Sequence, residues 1–171
     1  MEQPDLNQKT GKWMNYAAWI IGFFLLTYWF QNFLDNKENP NQQPISEYQA
    51  GGIEVTLQRN AYGHYVTNGY INRQSVTFLL DTGATNVSIP QEVAERLNLP
   101  KGPTQSVNTA NGIVQVYQTR LDSLNIGDIQ LRNVAANINP YMQGEQILLG
   151  MSALKRIEFS QRGDQLTLKQ Y

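Results

Sequence analysis

Eight consecutive residues, Phe78-Leu79-Leu80-Asp81-Thr82-Gly83-Ala84-Thr85, are the part of this sequence best equipped for chemistry. An apolar run ends in a carboxylate, which is followed at once by Thr, Gly and two small residues. A carboxylate left unpaired in a core is costly, so an Asp at the end of a buried strand is exposed, paired or used. Gly83 permits a sharp turn and close backbone approach, and the hydroxyls of Thr82 and Thr85 can hold such a turn through local hydrogen bonds. The octet reads as a carboxylate on a rigid turn, acting as acid or base on water. The plain alternative is a strand end closed by an Asx-type turn.

Composition narrows the chemistry further. The 171 residues include 13 basic and 14 acidic side chains, no cysteine and one histidine, His64. The balanced charge leaves no basic footprint for nucleic acid. Without cysteine there is neither a disulfide framework nor thiol catalysis. One histidine is too few for a zinc hydrolase, and it would have to serve as the base of any Ser-His-Asp arrangement. The hydrolytic chemistry left is carboxylate chemistry, with no metal and no cofactor called for.

The elements that must position Asp81 are short strands. Val76, Phe78 and Leu80 alternate with polar residues and lead into it. Ile53, Val55 and Leu57 form an earlier alternating run. His64 to Ile71 is a second, with Asn68-Gly69 inside it as a tight turn or a bulge. Val87-Ser88-Ile89 follows the octet, and Pro90 opens a two-turn helix over 91–97. Residues 105–108 and 113–119 flank Thr109-Ala110-Asn111-Gly112, a strong hairpin signal. Leu124–Ile126 and Ile129–Leu131 bracket Gly127-Asp128 as another hairpin, with a separate strand over 134–138. Residues 146–149 form a buried strand stopped by Gly150, then a short helix and a last hairpin around Gly163. Many short strands with one or two short helices predict a mostly β, closed or sandwiched domain.

The N-terminal part is different. Residues 13–34 are apolar, with Trp13, Tyr16 and Trp19 at one end and Tyr28, Trp29 and Phe30 at the other. That suits a single transmembrane helix with aromatic belts, and no small-residue cleavage site follows it. Lys9 and Lys12 before the span, against Lys37 after it, predict a cytoplasmic tail over 1–12 in a single-pass cell (inner) membrane protein, with everything beyond the span extracytoplasmic or periplasmic. Residues 35–52, rich in Asn, Gln and Pro, read as a flexible linker to a domain over 53–171.

With these residues in view, 52–171 resembles the retropepsin-like aspartic proteases, in the bacterial branch with one membrane span. Leu79-Leu80-Asp81-Thr82-Gly83-Ala84-Thr85 is similar to the family's catalytic signature, and Ile147-Leu148-Leu149-Gly150 to the apolar-Gly element beneath the catalytic loop. The Asn111-Gly112 hairpin stands where the family has its flap, and Gly63-His64-Tyr65 resembles the opening of the bacterial branch. The resemblance implies a closed β-barrel with Asp81 catalytic. Thr82, Gly83, Ala84 and Thr85 would support it, Ala110, Asn111 and Gly112 would lie over the substrate, and Leu149 and Gly150 would be structural. It gives His64 no catalytic part. The chemistry needs two carboxylates sharing a proton, and the chain has one Asp-Thr-Gly; Asp35, Asp122, Asp128 and Asp164 lack the small-residue turn. A homodimer is therefore expected, with Thr82 bonding across the interface and a peptide or protein as substrate. The competing expectations are a dimeric module that binds peptides without cutting, and a membrane-tethered structural domain.

Overall fold

The computed structural model describes residues 6–109 and 112–171, with side chains from residue 13 onward. It forms two compact units, one ending at Lys37 and one spanning Glu38–Tyr171. The first consists of helix α1, Leu6–Glu38. Its described apolar side chains are exposed on every side, a pattern suited to an apolar surrounding rather than to a solvated helix. The stretch Trp13–Glu38 is long and apolar enough to cross a membrane, with 26 residues and a length of about 39 Å at the α-helical rise. In mid-span, Thr27 Oγ1 donates back to the carbonyls of Phe23 and Phe24 at 3.0 and 2.9 Å.

Among the described residues, the second unit has eleven strands and two short helices. They run β1 Ser46–Gln49, β2 Gly52–Gln58, β3 Val66–Ile71, β4 Gln74–Leu80, β5 Val87–Pro90, α2 Gln91–Arg96, β6 Thr104–Thr109, β7 Gly112–Ile126, β8 Ile129–Asn139, β9 Gln146–Leu149, α3 Met151–Leu154, β10 Glu158–Arg162 and β11 Gln165–Gln170. Strands β3-β4-β9-β5-β8-β7 lie in that order, and β3 also pairs with β7 through Tyr70↔Asn125 and Ile71↔Leu124. The sheet therefore closes on itself as a barrel. Strand β6 pairs with β7 alone and stands outside it. A second sheet, β1-β2-β11-β10, turns Val55, Leu57, Leu166 and Leu168 into the same core as Phe78, Ile89, Leu121, Ile138, Ile147 and Leu149. The mostly β, closed-barrel architecture with short helices and a preceding apolar helix agrees with the sequence expectation.

Local chemistry explains the register. The β3–β4 turn is Asn72-Arg73, both at positive φ (49° and 67°), the two-residue geometry whose twist matches flanking strands. Asn68-Gly69 is neither turn nor bulge: β3 and β4 pair without interruption through Asn68↔Thr77 and Gly69↔Val76. Gly69 is there for space, because a Cβ would lie 2.3 Å from the Asn125 carbonyl oxygen and 2.7 Å from the Phe78 ring. The separate strand expected over 134–138 is the second half of β8, which continues through Asn133 at φ 56°.

The largest departure concerns 35–52, expected as a flexible linker. Helix α1 continues to Glu38, β1 pairs with β2, and Asn39 and Asn41 are buried. Asn41 bridges the end of β2 to the start of β3. Its Nδ2 donates to the carbonyls of Gln58 (2.9 Å) and Val66 (2.7 Å), and its Oδ1 accepts from Gln58 N–H (2.7 Å). Its own carbonyl accepts from Thr67 Oγ1 and from Asn68 N–H. Asn39 Nδ2 donates to Asn68 Oδ1, which also takes a bond from Thr77 Oγ1. Polar composition reads as a tether, but here each buried amide has a partner distant in sequence, backbone for Asn41 and the Asn68 side chain for Asn39. An Asn41→Ala variant leaves buried carbonyls and an N–H unpaired. It should lose about 3 kcal/mol of stability, a fall of roughly 10 °C in melting temperature. A melting curve within 2 °C or so of the parent would show that water replaces the amide without cost.

Candidate active site

Asp81 is the first residue beyond β4, and the path of the chain there decides what it can do. Strand β9 lies between β4 and β5. It pairs in parallel with β4 through Thr77↔Gln146 to Leu80↔Leu149, and antiparallel with β5 at Ser88↔Leu148. The segment 81–86 must therefore cross over the end of β9 to get from one neighbour to the other. Gly150 is the residue at that end. A Cβ on it would stand 2.3 Å from the Asn86 carbonyl oxygen and 2.6 Å from that of Ala84. Its φ of −86° and ψ of −176° are open to any residue, so the glycine answers a demand for space.

The loop is then pinned from both sides. Asp81 N–H donates to the Leu149 carbonyl at 3.2 Å, Met151 N–H to the Ala84 carbonyl at 2.8 Å and Ser152 N–H to the Thr85 carbonyl at 2.9 Å. Ser152 Oγ accepts from Val87 N–H (3.0 Å) and donates to the Ala135 carbonyl (2.7 Å), tying α3 to β5 and β8. Sequence reading missed Ser152. The available signal was a hydroxyl two residues after the strand-ending glycine, at the start of a short helix.

Within the loop, Asp81 Oδ1 accepts Gly83 N–H at 2.8 Å, an Asx turn that fixes the carboxylate rotamer. A Cβ on Gly83 would lie 3.1 Å from that same oxygen, so the second glycine keeps the turn tight. Asp81 is half-buried, while Thr82, Gly83 and Thr85 are exposed in the single chain. No other described carboxylate hydrogen-bonds to Asp81. The result is a carboxylate aimed by backbone on a surface loop, with hydroxyls on the open side.

Strands β6 and β7 supply the second part. They pair from Thr104↔Tyr117 to Thr109↔Gly112, and β8 joins β7 only from Tyr117 onward. The hairpin beyond Tyr117 is thus an arm clear of the barrel wall. Thr109 Oγ1 donates to the Gly112 carbonyl (2.8 Å), Gly112 has φ 110°, and Ile113 is exposed. Of the expected flap residues, Gly112 is the one described; Ala110 and Asn111 lie outside the described residues. A cleft of about 390 Å³ separates the stem of this arm from the loop's end, lined by Asn86, Gln105, Gln118, Thr119 and Asn137 among others. Thr119 Oγ1 is buried there with no hydrogen-bond partner among the described residues. His64 stands exposed in the β2–β3 connection, its N–H on Asn60 Oδ1.

A barrel carrying an Asp-Thr-Gly loop over a glycine, beside a β-hairpin arm, is the framework of an aspartic protease half. A model of the family described as "gag-polyprotein putative aspartyl protease" matches residues 67–156, a stretch that holds the loop, the arm and α3. The chain belongs to this retropepsin-like aspartic protease family. A crystal structure of a retropepsin-like aspartic protease from Rickettsia conorii is similar, with 28% identity, a TM-score of 0.61 and coverage of 74% of this chain and 94% of that one. An uncharacterized protein in the cobV 5' region of Sinorhizobium sp is 34% identical over 134 residues, 76% of this chain and 58% of its own length. Uncharacterized protein RP867 of Rickettsia prowazekii (strain Madrid E) is 29% identical over 108 residues, 61% of this chain and 46% of its own. The chain spans about half the length of the curated relatives it matches.

Proposed function

We propose that this chain is an aspartic endopeptidase that works as a homodimer, anchored through residues 13–34 with residues 53–171 as its protease domain on the extracytoplasmic face. What carries the reading is the loop itself: one backbone-aimed carboxylate, open to solvent on its hydroxyl side, resting on a glycine that nothing larger could replace. Asp81 and its symmetry mate would lie side by side on a twofold axis. Two carboxylates about 3 Å apart cannot both ionise, so the pair shares one proton. The ionised member takes a proton from water as the water oxygen adds to the scissile carbonyl carbon. The protonated member gives its proton to the carbonyl oxygen. Collapse of the resulting gem-diol returns one hydroxyl proton to the second carboxylate and breaks the C–N bond, and the amine leaves with the proton held by the first carboxylate. Thr82 would bond across the interface beneath the pair. The β6–β7 arm, with Ala110, Asn111 and Gly112 at its tip, would close over an extended peptide bound as an added strand.

The test is to incubate the full-length chain in detergent with a diverse peptide mixture at mildly acidic and neutral pH, with and without a statine-type transition-state mimic. Cleavage that the mimic blocks is the expected result. Peptide binding without cleavage would favour a binding module, and neither, from a chain proved dimeric, a structural domain.

A further inference from the structure

We propose that the cleft between the end of the Asp81 loop and the stem of the β6–β7 arm selects substrates with an acidic side chain flanking the scissile bond, and that Arg120 reads that acid. The inference rests on the endopeptidase reading above and gives it a substrate class. The cleft is walled by backbone. Gly102 N–H donates to the Gln118 carbonyl at 2.8 Å and Gln118 N–H to the Pro103 carbonyl at 2.9 Å, so the segment leading into the arm is laced to β7. A Cβ on Gly102 would lie 2.7 Å from the Gln118 carbonyl oxygen, and glycine lets the two backbones close up. Gln118 Nε2 donates to Gln105 Oε1 at 3.1 Å across the stem. Asn86 lines the cleft from the end of the Asp81 loop, and Ala135 and Ala136 add only small side chains.

The charge of the lining has one sign. Lys101 and Arg120 belong to it, and no carboxylate does. Lys101 is already engaged, by Glu95 Oε1 at 3.3 Å and by the Tyr117 ring at 5.5 Å. Arg120 is exposed, makes no ion pair among the described residues and is steadied by Asn133 Oδ1 at 2.9 Å. Past Asn133 come Arg132 and Arg156, joined by Arg156 Nη1 to the Arg132 carbonyl at 2.7 Å and also outside any ion pair among the described residues. Asp122, the acid on this stretch of β7, lines a different groove. A guanidinium without an ion pair, with further cations behind it, favours a carboxylate and can hold it through two N–H groups at once. Thr119 Oγ1, buried in the same cleft with no hydrogen-bond partner among the described residues, offers the same ligand an O–H donor. The chain from Asp81 to Asn86 spans about 17 Å at most, which an extended peptide covers in about five residues. The acid should therefore stand within about six residues of the bond that is cut, and on either side of it, since the two halves of the dimer are identical.

The test starts from a peptide that the full-length chain cuts in detergent, remade with Glu or with Gln at each position out to about six residues on either side of the bond. At one position or more the Glu peptide should have a kcat/KM about fivefold above its Gln twin. Arg120→Gln should bring that ratio to about one, and Arg120→Glu should reverse the choice, so that a Lys peptide is cut faster than the Glu peptide. Arg96→Gln, which removes an arginine paired with Glu145 outside the cleft, should keep the parent's ratio. Each ratio is taken within one preparation, so a change in overall activity does not disturb it. Glu and Gln peptides cut alike by the parent at every position overturn the proposal and leave the endopeptidase reading standing. A Glu preference that survives Arg120→Gln overturns it too, because another group then reads the acid. A parent chain that cuts no peptide at all removes both readings.

Discussion

Replacing Asp81 by Asn should abolish peptide cleavage, by about 10⁴-fold, the upper range for loss of a general acid–base group, while leaving the fold in place. The fold should survive because Asn Oδ1 can still accept the Gly83 N–H that the carboxylate accepts at 2.8 Å. The neutral acceptor weakens that one exposed bond by about 1 kcal/mol at most. Mixing the variant with the parent chain and allowing subunits to exchange sharpens the result. If each active unit needs a carboxylate from both copies, activity follows the square of the parent fraction, so an equal mixture retains about a quarter. A chain that worked alone would retain half. Cleavage by the pure Asn variant at the parent rate would mean that another group activates water.

The parts legible in the sequence were those fixed by neighbours along the chain. Alternation of Val76 and Phe78 sets which face of β4 is buried, and Gly127-Asp128 sets the turn between β7 and β8. Both signals are local. The loop signature and the Leu149-Gly150 element were also recognisable, because each packs a chemical requirement into a few adjacent residues. Demands imposed by distant backbone stayed hidden. Gly69 looks like a turn residue until the Asn125 carbonyl is placed against it. Asn39 and Asn41 look like solvated linker until Gln58, Val66 and Asn68 supply their partners. Ser152 is an ordinary helix-start hydroxyl until β5 and β8 arrive on either side of it. Composition reports how polar a residue is, and only the fold decides whether a partner waits for it.

Gly150→Ala should damage the fold and the Asp81 loop together. The added Cβ would stand 2.3 Å from the Asn86 carbonyl oxygen and 2.6 Å from both the Asn86 carbonyl carbon and the Ala84 carbonyl oxygen. These are main-chain atoms, so no side chain can rotate away. The segment over β9 would have to lift by about 1 Å to reach ordinary contact, a displacement of the size that costs about 10²-fold in rate when it misplaces a catalytic group. Lifting also stretches the bonds from Met151 and Ser152 N–H to the Ala84 and Thr85 carbonyls. With overpacking alone worth about 1–3 kcal/mol, the expected loss of stability is about 3 kcal/mol or more. Gly163→Ala is the matching control: it meets nothing within 4 Å but sits at φ 59°, so it should cost about 1–2 kcal/mol of backbone strain and leave the site unmoved. Melting temperature and peptide cleavage measured on both variants separate the two causes, since Gly150→Ala should lose both and Gly163→Ala only a little of the first. Equal, small effects from the two would mean that the loop does not rest on β9 in the working protein.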